Sequence, residues 1–130
     1  MSDAPPVSRG AFWTGHVLGG LAGAMMLFSA VMKLVLPAGV PEHFVELGWP
    51  LSCVTGLAVL ELVCTITYLV PRTAVLGAIL LTGYLGGAIA AHVRIGEPLV
   101  SVIFQLVLGI FLWGGLYLRE PRLRALIPVR

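Results

Sequence analysis

The stretch 51–70, LSCVTGLAVLELVCTITYLV, leaves few folds open. It holds about twenty residues, enough for a helix to cross a hydrocarbon layer of ~30 Å. It also carries one formal charge, Glu61, near its middle. A charged side chain at the bilayer centre costs at least ~2.5 kcal/mol on insertion scales, and such residues face other helices or a cavity. The stretch therefore predicts a membrane-spanning helix with a polar spot on its inward face.

Composition agrees. Of 130 residues, 58% are hydrophobic and 11% charged, against about 25% charged in soluble domains. Mean hydropathy is +1.01. So few charges cannot cover a soluble surface, which makes lipid the expected solvent and the bilayer the first partner. The length has room for about four spans with short connections, and none for a separate soluble catalytic domain. The formal charge of +2 is too small to argue for nucleic acid.

Residues 1–10 read as a polar, proline-bearing tail. Span one covers 12–36. Its apolar run exceeds the roughly 7–15 residues of a signal-peptide core, so it is expected to be retained. Gly15, Gly19 and Gly23 form a stripe at four-residue spacing, and Gly83, Gly87 and Ala91 form another on the third span. Such stripes let membrane helices approach closely. Both are expected to face helices, within the chain or across a homo-oligomer or a partner subunit. Ser29 and Lys33 are four apart and share a face.

Pro37 ends span one. Loop 37–50 contains PEHFVEL, which reads as one amphipathic turn at the interface with Phe44 and Leu47 dipping into lipid. Trp49 suits headgroup level. Span two is 51–70, span three 73–93 and span four 99–118, and a basic tail occupies 119–130. The expected fold class is all-α, an integral membrane four-helix bundle running up-down-up-down over 11–118. Cys53 and Cys64 would lie ~16 Å apart along one helix, beyond the ~4–7 Å of a disulfide. Both read as packing residues.

An even number of spans puts both termini on one side. That side holds Arg9, Arg72, Arg119, Arg122, Arg124 and Arg130. The other holds Lys33 and Arg94 with Glu42, His43, Glu46 and Glu97. Basic residues favour the cytoplasm, so both termini are expected there. Trp13, Tyr68, Trp113 and Tyr117 would form an inner aromatic belt.

Depth can then be counted. From the outer ends of their spans Ser29 lies ~12 Å deep, Glu61 ~16 Å, Tyr84 ~15 Å and Gln105 ~10 Å. Each sits on a different helix, so a closed bundle brings them to one patch. Lys33 and His92 lie above it, with Arg94 and Glu97 at the rim. Burial disfavours a carboxylate and a nearby cation favours it, so Glu61, His92 and Lys33 are candidates for proton exchange and charge pairing. Tyr84, Gln105, Ser29 and Arg94 are candidate ligand contacts. Each has a plainer reading: Glu61 as an interhelical clasp, Lys33 snorkelling, His92 as an interfacial imidazole, and Gln105 and Ser29 as packing hydrogen-bonders. A clasp averages only ~0.6 kcal/mol in double-mutant cycles, which scarcely offsets inserting the carboxyl group, so function is favoured. His, Glu and Cys are dispersed along the chain, so no structural zinc is expected.

Five segments carry a family likeness: SAVMKLVLP, LGWP, GLAVLELVC, GGAIAAHVRIGEP and LWGGLYLREPRLRALIP. In this order and spacing the chain resembles the DoxX-like family of small bacterial membrane proteins over about residues 12–128. The resemblance implies a four-helix membrane bundle in the bacterial inner membrane. It also implies association with oxidoreductase systems, since the family takes its name from a subunit of a thiosulfate:quinone oxidoreductase. Lys33, Glu61 and His92 match the polar positions of the family pattern. The chain has no flavin, haem or disulfide-relay motif, so it is expected to act as a subunit, with quinone as the candidate cofactor. Two other functions fit the residues: a small proton-coupled exporter and a non-catalytic scaffold docking through its glycine stripes.

Overall fold

The computed structural model describes residues 6–126, and within them the chain is helical with no strand. Four helices are long and apolar enough to cross a membrane: α1 (Arg9–Val35), α3 (Leu51–Leu69), α4 (Ala74–Arg94) and α5 (Leu99–Arg119). Two short helices join them, α2 (Val40–Glu46) before α3 and α6 (Pro121–Leu126) after α5. Of the two expected tails, 1–5 and 127–130, with Arg130, lie outside the described residues. Most of the rest is helix, Arg9 and Gly10 in α1 and 121–126 in α6. Ser8 caps α1 by accepting the Ala11 N–H at 3.1 Å, and Leu123 of α6 is buried. Arg124 fastens α6 by donating to the carbonyls of Tyr117 and Leu118 at 2.8 and 2.9 Å, groups a helix end leaves unpaired.

The bundle is up-down-up-down. α1 packs on α3 and α5, and α4 packs on α3 and α5, leaving α1 and α4 diagonally opposed. The ends of α1 and α5 that carry the chain termini lie together, with Arg119 Nη1 donating toward His16 Nδ1 at 3.3 Å. At this end the interior is solid. Tyr68, expected in an aromatic belt, is fully buried among Ala22, Met26 and Leu112 and donates its hydroxyl to the Leu112 carbonyl at 2.7 Å. Packing at the core took it from the interface. Trp113 is half-buried against the same core and donates its indole N–H to Thr82 Oγ1 at 2.7 Å.

The α1 stripe is used as expected. A side chain at Gly15 would meet the Gly115 carbonyl and Arg119, one at Gly19 the Tyr68 hydroxyl, and one at Gly23 the Leu69 side chain. On α4, Gly83 and Gly87 have no atom of another described element within 4 Å of where a Cβ would sit, while Ala91, the third member of the stripe, is buried with Phe44, Leu47 and Val54. Gly77 instead makes the close approach of α4 to α3, against the backbone of Thr67 and Tyr68.

α2 also departs from expectation. Leu36 ends α1 in the left-handed region, and Gly39 at φ 95° turns the chain back. The Gly39 N–H then donates to Glu42 Oε2 at 2.9 Å. This lays α2 across the bundle end, where Phe44 and Leu47 are buried with Val54 and Ala91 rather than in lipid. An apolar face signals burial without saying whether lipid or protein supplies it.

Candidate functional site

Three spans each place one polar side chain at a common point. Lys33 lies in the last turn of α1, Glu61 in the middle of α3 and Tyr84 in the middle of α4. Lys33 Nζ contacts Glu61 Oε2 at 2.6 Å, with Glu61 1% and Lys33 9% exposed. Lysine therefore does not snorkel: its head is turned inward. Ser29, one turn back on α1, accepts from Nζ at 2.6 Å through Oγ. The Tyr84 hydroxyl donates to Glu61 Oε2 at 3.2 Å. The ammonium also sits over the rings of Tyr84 and Phe44, 5.8 and 5.9 Å from their centroids, a placement ring quadrupoles favour. Desolvating two charges is repaid only when good geometry and further hydrogen bonds accompany the pair, and all of these are present. Both bonds to the carboxylate fall on Oε2, so Oε1 is engaged by neither.

This cluster forms the polar wall of a cavity of about 840 Å³ between the diagonal helices α1 and α4. Gly83 and Gly87 line it, which explains their unfilled stripe: they open space for a guest where bulkier residues would close it. Met25, Phe28, Leu60 and Phe104 supply much of the apolar remainder. Pockets for small molecules share this character, mostly apolar with a few convergent polar groups. Of the seven residues singled out from the sequence, Ser29, Lys33, Glu61, Tyr84, His92 and Gln105 all line it. Gln105 makes no recorded hydrogen bond to the pair. Arg94 does not join them. It turns away to donate to the Leu47 carbonyl and lines a separate recess with Gly48 and Trp49, tying α4 to the end of α2.

A second polar group lies at the mouth. α4 ends in a Schellman turn: Gly96, at φ 74°, donates to the Val93 carbonyl and Glu97 donates back to the His92 carbonyl, both at 3.1 Å. The turn swings the Glu97 side chain over His92. Glu97 Oε2 lies 3.3 Å from His92 Nδ1 and Oε1 lies 3.7 Å from His43 Nδ1. The two imidazoles stand 5.7 Å apart, tilted by 34°. Ser101 donates to Glu97 Oε2 at 3.0 Å. His92 Nδ1 is buried yet has no hydrogen-bond partner; it is near the carboxylate but out of line with it. Dispersion along the chain argued against a cluster of metal-type ligands, but donor atoms of His43, His92 and Glu97 lie within 4.8 Å of one another. The dispersion was one of sequence only, since α2 folds over the end of α4.

His43 and Phe44 are the site residues that sequence reasoning missed. The signal was the left-handed exit at Gly39, which sends α2 across the bundle end rather than out along the interface. The model of the DoxX-like family matches residues 17–115, a range containing every residue of both clusters. No curated protein and no solved structure matches the chain.

Proposed function

The chain belongs to the DoxX-like family, and from that premise we propose that it is the membrane subunit of a quinone-linked redox assembly. On this reading the cavity between α1 and α4 holds an amphiphile with oxygen substituents on a flat ring. The observation that carries it is the buried Lys33–Glu61 pair set in the wall of a mostly apolar cavity. That the chain is an integral membrane protein follows from its family and its four apolar spans.

A quinone, when bound, would supply carbonyl oxygens that take up protons on reduction. The cavity suits such a guest in two respects. Its volume falls within the ~300–1,000 Å³ of small-molecule sites, and cationic and hydroxyl donors converge at one wall. Lys33 Nζ would donate its remaining hydrogen to a ring oxygen. Tyr84 would keep its hydroxyl hydrogen on Glu61 Oε2 and so hold the carboxylate in place. Glu61, through Oε1, would accept a proton there when a quinol is oxidised and return it on reduction. Electrons would come from a partner subunit. We place the termini in the cytoplasm of a bacterial cell, because Arg9, Arg72, Arg119, Arg122 and Arg124 lie at their end of the bundle. The cavity mouth then faces outward.

Mass spectrometry of the organic extract from purified protein, wild type beside Glu61→Gln, tests this. A quinone enriched with wild type and missing from a folded Glu61→Gln is expected. Phospholipid alone in both samples would sink the reading, and the exporter and scaffold readings would then take its place.

A further inference from the structure

We propose that His43, His92 and Glu97 form a binding site for one divalent transition-metal ion of the zinc class at the mouth of the cavity. The site is distinct from the Lys33–Glu61 pair and does not depend on the quinone reading.

Three observations converge. First, the donor set is two imidazoles and a carboxylate, the ligand combination of zinc sites that keep one position open. Second, the donors are already near one another. Glu97 Oε2 lies 3.3 Å from His92 Nδ1 and its other oxygen, Oε1, lies 3.7 Å from His43 Nδ1, with one donor atom from each residue inside 4.8 Å of the others. Neighbouring ligands of a tetrahedral ion at about 2.0–2.2 Å lie about 3.4 Å apart, so a bound ion would draw the set closer than it stands here. Third, His92 is 9% exposed and its Nδ1 is buried without a hydrogen bond. An orphaned buried nitrogen is costly, and a cation between it and the carboxylate would satisfy both.

The surroundings support the same assignment. Ser101 donates to Glu97 Oε2, the kind of outer contact that orients a ligating carboxylate. The Schellman turn at Gly96 fixes Glu97 relative to His92 through the backbone. His43 comes from a separate element, so a bound ion would pin α2 to the end of α4. With three protein ligands, the fourth position opens toward water or a guest.

The test uses tag-free full-length protein in detergent, stripped with a chelator and then titrated with zinc chloride against a chromophoric competitor. Wild type is expected to take one zinc per chain. His43→Ala and His92→Ala should each bind at least about tenfold more weakly, and Ser101→Ala about tenfold more weakly, the lower bound for losing an outer partner. Glu46→Gln, at an exposed carboxylate on the same helix α2, should bind as wild type does, which separates this donor set from acidic surface groups nearby. Cobalt added to wild type should give the visible absorption of a tetrahedral nitrogen–oxygen site. That reading needs no variant, so it answers even if the histidine substitutions disturb the fold. No zinc uptake by wild type would overturn the proposal. So would equal affinity in the His43→Ala and His92→Ala proteins with helix content unchanged.

Discussion

Removing one member of the Lys33–Glu61 pair leaves the other buried without its counter-charge. Breaking a buried pair in this way typically costs about 3–5 kcal/mol, whereas replacing both partners by apolar residues is often neutral. The two single variants should not cost the same. Lysine has a long flexible stem and starts near the α2 end, so in Glu61→Gln it can swing its head toward the interface. Glu61 is 1% exposed in the middle of α3 and has no such exit. Lys33→Met is therefore expected to lose about 3–5 kcal/mol of stability in detergent unfolding, Glu61→Gln distinctly less, and Lys33→Met/Glu61→Leu to recover most of the loss. Purely additive single and double effects would show that the two side chains are not coupled. Glu61 was legible in the sequence because it is the one charge in a twenty-residue apolar run. Lys33 was readable as a candidate partner but not as the actual one, because a lysine near a span's end serves equally well as a snorkelling group until the helices are placed.

Glycines on different helices do opposite work here, and substitution separates them. A Cβ at Gly115 would meet the Gly15 carbonyl and the Gly19 N–H, both at 2.7 Å. Those are backbone atoms and cannot move aside without parting α1 from α5. Gly115→Ala is expected to cost about 1–3 kcal/mol, as overpacking does. Gly86 has nothing within 4 Å, and Gly86→Ala should be neutral or stabilising by about 0.5–1 kcal/mol. A thermal melt of the pair decides the matter: equal midpoints would refute the crossing. Gly87→Leu belongs to neither class, because its side chain would enter the cavity, leaving the bundle folded and any bound guest displaced. Span number, order and the α1 stripe were readable because hydropathy and spacing report them directly. Two features were not. Gly83 and Gly87 have the same spacing as a helix contact yet line a cavity within this chain, and Phe44 and Leu47 have the same apolarity whether lipid or Val54 covers them. The cluster of His43, His92 and Glu97 was hidden for a related reason: only the turn at Gly39 brings α2 to the end of α4.

The molecule is polarised from end to end. The terminal end is solid, closed by Tyr68, Leu112 and Leu116, and bears the arginines of Arg9, Arg72, Arg119, Arg122 and Arg124. The α2 end holds the cavity, both histidines of the mouth and Glu97, while its two basic residues are spent internally: Lys33 on Glu61 and Arg94 on the Leu47 carbonyl. Five of the described arginines thus lie at the terminal end against Lys33 and Arg94 at the other, with Lys33 paired to a carboxylate, and a K/R bias sets orientation. A single cysteine in α2 is a direct reporter. Val45 is 59% exposed on α2, so Val45→Cys should be tolerated, and Cys53→Ser with Cys64→Ser removes the native thiols. In intact bacterial cells this protein should react with a membrane-impermeant maleimide, whereas a cysteine at Arg122 should react only after the cells are opened. The reverse pattern would put the arginine-rich end outside against the charge rule, and would turn the cavity mouth, with its candidate metal ligands, toward the cytoplasm. That one labelling difference says which compartment the polar wall of the cavity is nearer, because Lys33, His43 and His92 line it toward the α2 end while the terminal end is packed shut.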